Sequence, residues 1–213
     1  MEIEYIKPMD IEKRSFEIIE ERLVGRKFPE DRYDIIRRVI HTSADFDYAD
    51  NLMFSENAVK KGLSALRNGA DIVTDTNMAF SGINKKILSE LGGAAHCFMA
   101  DEDVDYEAKK RGVTRAVVCM EKACGINKPL IFAVGNAPTA LIRLYELMSE
   151  GRVKPELIIG VPVGFVNVVE SKELIMKGPA PYIVARGNKG GSNIAAAVCN
   201  ALLYKLCKDV PRL

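Results

Sequence analysis

The stretch PLIFAVGNAPTAL, residues 129–141, decides the fold class of this chain. A short apolar run ends at Gly135 and Asn136, and Pro138 then stands in what should be the first turn of a helix. A strand followed directly by a helix is the unit from which parallel α/β proteins are built. Because the same alternation recurs from residue 71 onward, we predict an α/β three-layer sandwich.

Five apolar runs predict strands, and each is bounded by Gly, Pro or Asp. They are Asp71 to Asp75, Ala94 to Ala100, Pro129 to Val134, Glu156 to Val163 and Pro181 to Arg186. Helix-length segments follow them at Ile83 to Leu91, Tyr106 to Cys124, Thr139 to Ser149, Val166 to Met176 and Ser192 to Leu206. This order of elements predicts a mainly parallel five-stranded sheet with crossover helices.

The first 70 residues predict helices that precede the sheet. Apolar residues recur at three- and four-residue steps from Phe16 to Leu23 and from Tyr33 to Ile40. A third helix fits Ser55 to Asn68, with Ser55 as its N-cap. Neither a linker composition nor a repeat interrupts the pattern, so we expect the 213 residues to form a single domain.

The composition of the chain disfavours some classes of binding partner and some locations in the cell. With 30 basic and 29 acidic side chains, the net charge of +1 does not favour a nucleic-acid or anionic-membrane partner. The five cysteines form no CxxC pair, which favours reduced thiols and a cytoplasmic protein. The N-terminus lacks the apolar run of a signal peptide, and no segment approaches the roughly 18 uninterrupted apolar residues of a membrane span.

One segment concentrates groups that suit acid–base chemistry. Residues 37–50, RRVIHTSADFDYAD, place His41, one of two histidines, between a pair of arginines and three carboxylates. If a helix ends near His41, Arg38 lies on roughly the same face. Histidine titrates near neutrality and arginine binds anions, so the segment suits proton transfer on an anionic substrate. The residues alone favour the alternative, a helix-terminal histidine stabilised by the helix dipole.

A metal site is a further alternative for the same segment, since His41, Asp45, Asp47 and Asp50 offer nitrogen and oxygen ligands. The segment has no HxH or HExxH arrangement, and the second histidine, His96, lies in an apolar run where packing in the core suits it better. We therefore expect no protein-bound metal.

Two glycine-containing turns are candidate anion-binding sites. Residues 134–141, VGNAPTAL, end a strand and begin a helix, although an ordinary turn explains them equally well. Residues 185–193, ARGNKGGSN, match neither a P-loop nor a dinucleotide fingerprint, and a flexible turn is the alternative. The apolar segment 160–172 suits the floor of a site for a flat apolar ligand, or simple core packing.

Seven blocks, in register over nearly the whole chain, form a recognisable set. They are Arg14 to Phe16, Val39 to Asp47, Asp75 to Ile83, Gly112 to Ala116, Gly135 to Leu141, Gly160 to Phe165 and Lys189 to Asn193. Together they resemble the precorrin-8X methylmutase family, which includes the cobalt-precorrin-8 methylmutases. Asn188 departs from the pattern, because a basic residue is more usual there.

The resemblance implies an isomerase of cobalamin biosynthesis. It would move a methyl group from carbon 11 to carbon 12 of the macrocycle, converting precorrin-8X or cobalt-precorrin-8 to hydrogenobyrinate or cobyrinate. The resemblance also implies a flavodoxin-like sheet and a homodimer. No cofactor is implied, since any cobalt would be part of the corrinoid substrate.

The resemblance makes His41 the catalytic proton donor or acceptor. The predicted substrate contacts are Ser15, Arg38, Arg115, Asn136, Lys189 and Ser192. We further expect Asp45 or Asp47 to keep the imidazole charged. The rival interpretations are a flavodoxin-like module that binds a tetrapyrrole or nucleotide without altering it, and a metal-dependent hydrolase.

Overall fold

The computed structural model describes residues 3–207, which contain a six-stranded sheet. The strands are β1 (Leu52–Phe54), β2 (Asp71–Thr74), β3 (Ala95–His96), β4 (Leu130–Val134), β5 (Leu157–Gly160) and β6 (Tyr182–Ala185). They lie in the order β1-β6-β5-β4-β2-β3, and every pairing is parallel except that of β1 with β6. The mainly parallel α/β sheet was predicted correctly, but the number of five strands was wrong.

The additional strand, β1, also changes the role of Ser55. Its backbone amide donates to Tyr182 O at 3.0 Å, and its hydroxyl accepts from the Tyr182 amide at 2.9 Å. Ser55 therefore closes the antiparallel pairing instead of capping a helix, and the helix begins later, at Ala58, with Asn57 as its N-cap. A three-residue strand whose partner is distant in sequence leaves no local periodicity to detect.

Eleven α-helices occur in the described residues, after a short 3₁₀ turn at Pro8–Asp10. They are α1 (Ile11–Arg22), α2 (Glu30–Ser43), α3 (Tyr48–Asn51), α4 (Ala58–Arg67), α5 (Asn77–Gly82), α6 (Lys85–Glu90), α7 (Glu102–Arg111), α8 (Arg115–Ala123), α9 (Pro138–Ser149), α10 (Val168–Lys177) and α11 (Ser192–Cys207). None of these helices has the length and apolar character needed to cross a bilayer. The predicted helix from Tyr106 to Cys124 is in fact α7 and α8, because Gly112 turns the chain with a φ of 64°.

The sheet lies between two layers of helices. Successive side chains of a strand point to opposite faces, and β4 is buried on both. Ile131 and Ala133 pack in a core with α2, α4 and α11, whereas Phe132 and Val134 pack in a second core with α8 and α9. Burial on both faces explains why the strands read as continuous apolar runs without alternation.

The carboxyl ends of the parallel strands share one edge of the sheet, where the glycine-containing turns meet. A Cβ atom on Gly135, after β4, would lie 2.6 Å from the Cα atom of Ser192 at the start of α11. A Cβ atom on Gly190 would lie 2.1 Å from the carbonyl oxygen of Val161, after β5. Only glycine allows these approaches, and they bring the turns after β4, β5 and β6 together.

Candidate active site

His41 lies in the last turn of α2, on the wall of a surface cavity of about 350 Å³. The cavity lies between α2 and α11, and Arg38, Asn193 and Tyr204 also line it. The half-buried imidazole packs against Phe16 of α1, with 5.1 Å between ring centroids and 54° between the ring planes. The helices α1 and α2 therefore hold the ring beside a space that a ligand can enter.

Arg38 lies beside His41 at the same cavity. Its guanidinium carbon is 5.1 Å from the ring centroid of Phe16 and 5.0 Å from that of Tyr204. The guanidinium also donates a hydrogen bond of 2.5 Å to Glu12. Contact with two aromatic rings limits the motion of the cation. The N–H groups of the guanidinium that do not bind Glu12 can donate to an anion. The expectation that Arg38 and His41 share a face of α2 agrees with this geometry.

Ser15 lies next to the aromatic residue that supports both side chains. It is half-buried in α1, and its hydroxyl donates to the carbonyl oxygen of Ile11 at 2.9 Å. This bond lies within the helix, so the hydroxyl oxygen keeps its capacity to accept a further hydrogen bond.

The carboxylates that follow His41 bind a lysine from another part of the chain. The Lys189 ammonium donates to Asp45 and to Asp47, both at 2.6 Å. The hydrogen bonds from Asp45 and Asp47 raise the pKa of Lys189, and the bond from Lys189 lowers the pKa of Asp45. No hydrogen bond recorded within residues 3–207 joins either carboxylate to His41, so their support of the imidazole stays a prediction. Ala44 ends α2 with a φ of 55°, and the following residues approach the turn after β6.

The same turn connects to the end of β2 through Ser192. The Ser192 hydroxyl lies 2.8 Å from the hydroxyl of Thr76, which caps α5 by accepting from the Ala79 amide at 3.1 Å. Ser192 is half-buried at the first position of α11, the helix that forms one wall of the His41 cavity. Lys189 and Ser192 therefore both lie on the segment that leads from β6 into the cavity wall.

Asp75, for which no role was predicted, holds the turn that carries Asn136. Its buried carboxylate accepts from the backbone amides of Gly135 and Asn136 at 2.8 Å and of Ala137 at 2.6 Å. Burial raises the pKa of Asp75, while the three amides oppose that rise. The side chain of Asn136 is exposed, so the turn presents it at the surface. The sequence feature that could have predicted this role is an acidic residue directly after a strand.

Arg115 lies apart from the His41 cavity. It is exposed at the start of α8, where its guanidinium donates to the carbonyl oxygen of Met99 at 3.2 Å. No contact recorded within residues 3–207 joins it to Arg38 or His41. His96 also lies elsewhere, half-buried and with its Nε2 atom 2.8 Å from Asp71.

Exposed apolar side chains follow β5 at the same edge of the sheet. Phe165 is 89% exposed and Val166 is 79% exposed. Asn188, which departs from the family pattern, donates to the carbonyl oxygen of Gly164 at 2.7 Å and joins this turn to the one that carries Lys189. An apolar surface thus adjoins a turn that bears a cation.

The described part of the chain contains no group of three or more His, Cys, Asp or Glu side chains placed to hold a metal ion. Asp45 and Asp47, which the metal alternative required, are instead hydrogen-bonded to Lys189.

The chain is similar to known methylmutases. The family described as CbiC, precorrin-8X methylmutase, matches residues 10–205. The cobalt-precorrin-8 methylmutase of Priestia megaterium is 43% identical over 197 residues, covering 92% of this chain and 88% of that protein. The protein of the same name from Salmonella typhimurium is 44% identical over 207 residues, covering 94% and 96%.

A solved structure has a similar fold. The crystal structure of precorrin-8x methyl mutase from Thermus thermophilus superposes with a TM-score of 0.85 at 37% identity. The superposition covers 94% of this chain and 98% of that chain. The similarity therefore extends through both helical layers and the sheet.

Proposed function

Because the chain belongs to the precorrin-8X methylmutase family, we propose that His41 transfers the proton in the reaction of this family. The chain is an isomerase of cobalamin biosynthesis and catalyses intramolecular methyl migration. The methyl group moves from carbon 11 to carbon 12, converting precorrin-8X or cobalt-precorrin-8 to hydrogenobyrinate or cobyrinate. The observation that carries the assignment of His41 is its position beside Arg38 on the wall of one cavity.

The cations near this cavity suit the acetate and propionate arms of the substrate. Arg38 can bind one carboxylate in bidentate geometry, because its guanidinium is held against Phe16 and Tyr204. Lys189 binds a second carboxylate, and Ser192 and Ser15 add hydroxyl groups. Asn136 and Arg115 bind arms that extend farther along the edge of the sheet.

The exposed apolar residues after β5 suit the flat face of the macrocycle. Phe165 and Val166 present exposed apolar surface. Covering this surface with a conjugated ring removes it from water and stabilises the complex.

His41 acts on the conjugated ring near the migrating methyl group. As an imidazolium it protonates this region or donates a hydrogen bond to it, which draws electrons away and makes the rearrangement easier. Substrate and product of an isomerisation have the same composition, so a proton that His41 gives to the ring has to leave the ring again when the product forms, and His41 is the group placed to take it back. One residue therefore serves as acid and then as base.

We also propose that the reaction uses no resident cofactor and that any cobalt belongs to the substrate. We propose a single flavodoxin-like domain, because the five parallel strands, counted in chain order, lie in the order 2-1-3-4-5. The cysteines, all free thiols, support a location in the cytoplasm. Family membership supports a homodimer, which light scattering can test.

The proposal is tested by incubating the purified protein with precorrin-8X and, separately, with cobalt-precorrin-8. Conversion changes the visible spectrum because conjugation around the ring changes. His41→Ala should lower turnover by about 10²- to 10⁴-fold and still bind the product. His96→Asn is the matched control, since it removes the other histidine but keeps a hydrogen-bond donor for Asp71. An unimpaired rate in His41→Ala would contradict the role of His41, and an unchanged spectrum with the wild type would favour a binding module.

A further inference from the structure

Lys172 is a buried lysine in the second turn of α10. Its side chain is 1% exposed, and its ammonium donates to the carbonyl oxygens of Gly187 at 2.6 Å and Lys189 at 2.8 Å. Burial lowers the pKa of Lys172 to about 8. Burying an ammonium is costly, and an apolar side chain of similar length would fill the space. The lysine is therefore needed for something other than packing.

The two carbonyl groups belong to the turn after β6. Gly187 has a φ of 82°, a conformation that glycine adopts without strain. Farther along, the Gly191 amide donates to the carbonyl oxygen of Val161 at 2.8 Å. The turn is thus held at two places. Lys172 of α10 binds the carbonyl groups of Gly187 and Lys189, and the residue after β5 binds the amide of Gly191.

The side chain of Lys189 connects this turn to the His41 segment. Lys172 binds the backbone carbonyl of Lys189, whereas the ammonium of Lys189 binds Asp45 and Asp47. Asp45 is four residues beyond His41 in the sequence. A series of hydrogen bonds therefore leads from the buried side of α10, through Lys189, to the segment that follows α2.

We propose that Lys172 is a positioning residue of the methyl transfer, which holds the Gly187–Lys189 turn so that the Lys189 ammonium stays between Asp45 and Asp47. Lys172 acts through Lys189. This inference rests on the proposed function, in which Lys189 binds a substrate carboxylate beside the His41 cavity.

The test compares Lys172→Met with Lys177→Met, a matched control that removes an exposed lysine from the same helix. The first readout is the pKa of the Lys189 ammonium, measured by NMR. The Asp45 and Asp47 carboxylates raise this pKa in the wild type. We expect Lys172→Met to lower it by about one unit, because a displaced turn weakens both hydrogen bonds. Lys177→Met should leave it unchanged.

The second readout separates KM from kcat. We expect Lys172→Met to raise KM about tenfold, as loss of one charge-assisted hydrogen bond to substrate would do. Loss of folded protein alone would lower the apparent kcat and leave KM unchanged. The double variant Lys172→Met/Lys189→Met should have the KM of Lys189→Met, because the two residues act in series.

An unchanged Lys189 pKa with an unchanged KM would overturn the proposal, as would additive effects in the double variant. If Lys172→Met does not fold, the same measurements are made on Lys172→Gln, whose amide can donate to one of the two carbonyls. The NMR readout does not depend on turnover. A fully active His41→Ala would therefore remove the proposed role of His41, and the Lys189 pKa would still decide whether Lys172 positions the turn.

Discussion

The Lys189 ammonium donates a hydrogen bond of 2.6 Å to the carboxylate of Asp45, 144 residues earlier in the chain. This contact joins the turn after β6 to the segment that follows His41. The cation has two carboxylate partners within the protein, Asp45 and Asp47, so a substrate carboxylate bound as proposed would have to join or displace them. The proposed binding of substrate at Lys189 would therefore replace or share the carboxylate partners of this ammonium.

Lys189→Met should raise KM by about tenfold or more, because a charge-assisted hydrogen bond to substrate is lost. The free energy of unfolding should hardly change, since exposed ion pairs contribute little to stability. Steady-state kinetics and urea unfolding measure both quantities. Lys154→Met removes an exposed lysine elsewhere and should leave KM unchanged, and an equal rise in both variants would contradict a specific contact.

Arg38→Lys should raise KM about tenfold although it keeps the positive charge. Lysine lacks the planar fork that binds a carboxylate at two points, and it stacks less well between Phe16 and Tyr204. Product binding, followed by absorbance, gives the affinity directly. Arg67→Lys, on the exposed end of α4, is the control. An unchanged affinity in Arg38→Lys would show that charge alone matters at this position.

Asp75→Asn should lower the free energy of unfolding by about 1–3 kcal/mol. The two carboxylate oxygens accept from the amides of Gly135, Asn136 and Ala137. Asparagine replaces one of these oxygens with an NH2 group, which donates hydrogen bonds and cannot accept them. Urea unfolding measures the loss, and Glu90→Gln on the surface of α6 is the control for removal of a carboxylate. A stability equal to that of the control would mean that water can replace the carboxylate.

Lys172 should make stability depend on pH above about 8. The pKa of Lys172 is 10.5 in the unfolded chain and about 8 in the folded one, so unfolding takes up a proton between these values. The unfolding free energy of the wild type should therefore rise with pH across this window, by roughly 3 kcal/mol relative to Lys172→Met. Urea titrations at several pH values measure the difference. A difference that stays constant with pH would show that the folded and unfolded pKa values are the same.

Much of the fold was predictable because its signals are local. Strands β2 to β6 are apolar runs bounded by Gly, Pro or Asp. The residues that predict each strand are therefore consecutive in the sequence. Gly112 and Thr114 show the limit: a glycine with positive φ followed by a capping threonine divides α7 from α8 within a region that periodicity alone joins. Strand β1 shows a second limit, since only its pairing with β6 makes it a strand.

The sequence by itself determined the parallel α/β class, the family, and the proximity of Arg38 to His41, because residues three positions apart on one helix are spatial neighbours. Only the tertiary structure decided that Asp45 and Asp47 bind Lys189, that Asp75 and Lys172 are buried charges holding two turns, and that Arg115 lies apart from His41. Local periodicity specifies which face of an element is buried. The partner of a charge on a distant turn depends on where the whole chain brings that turn, and no short stretch of residues encodes it.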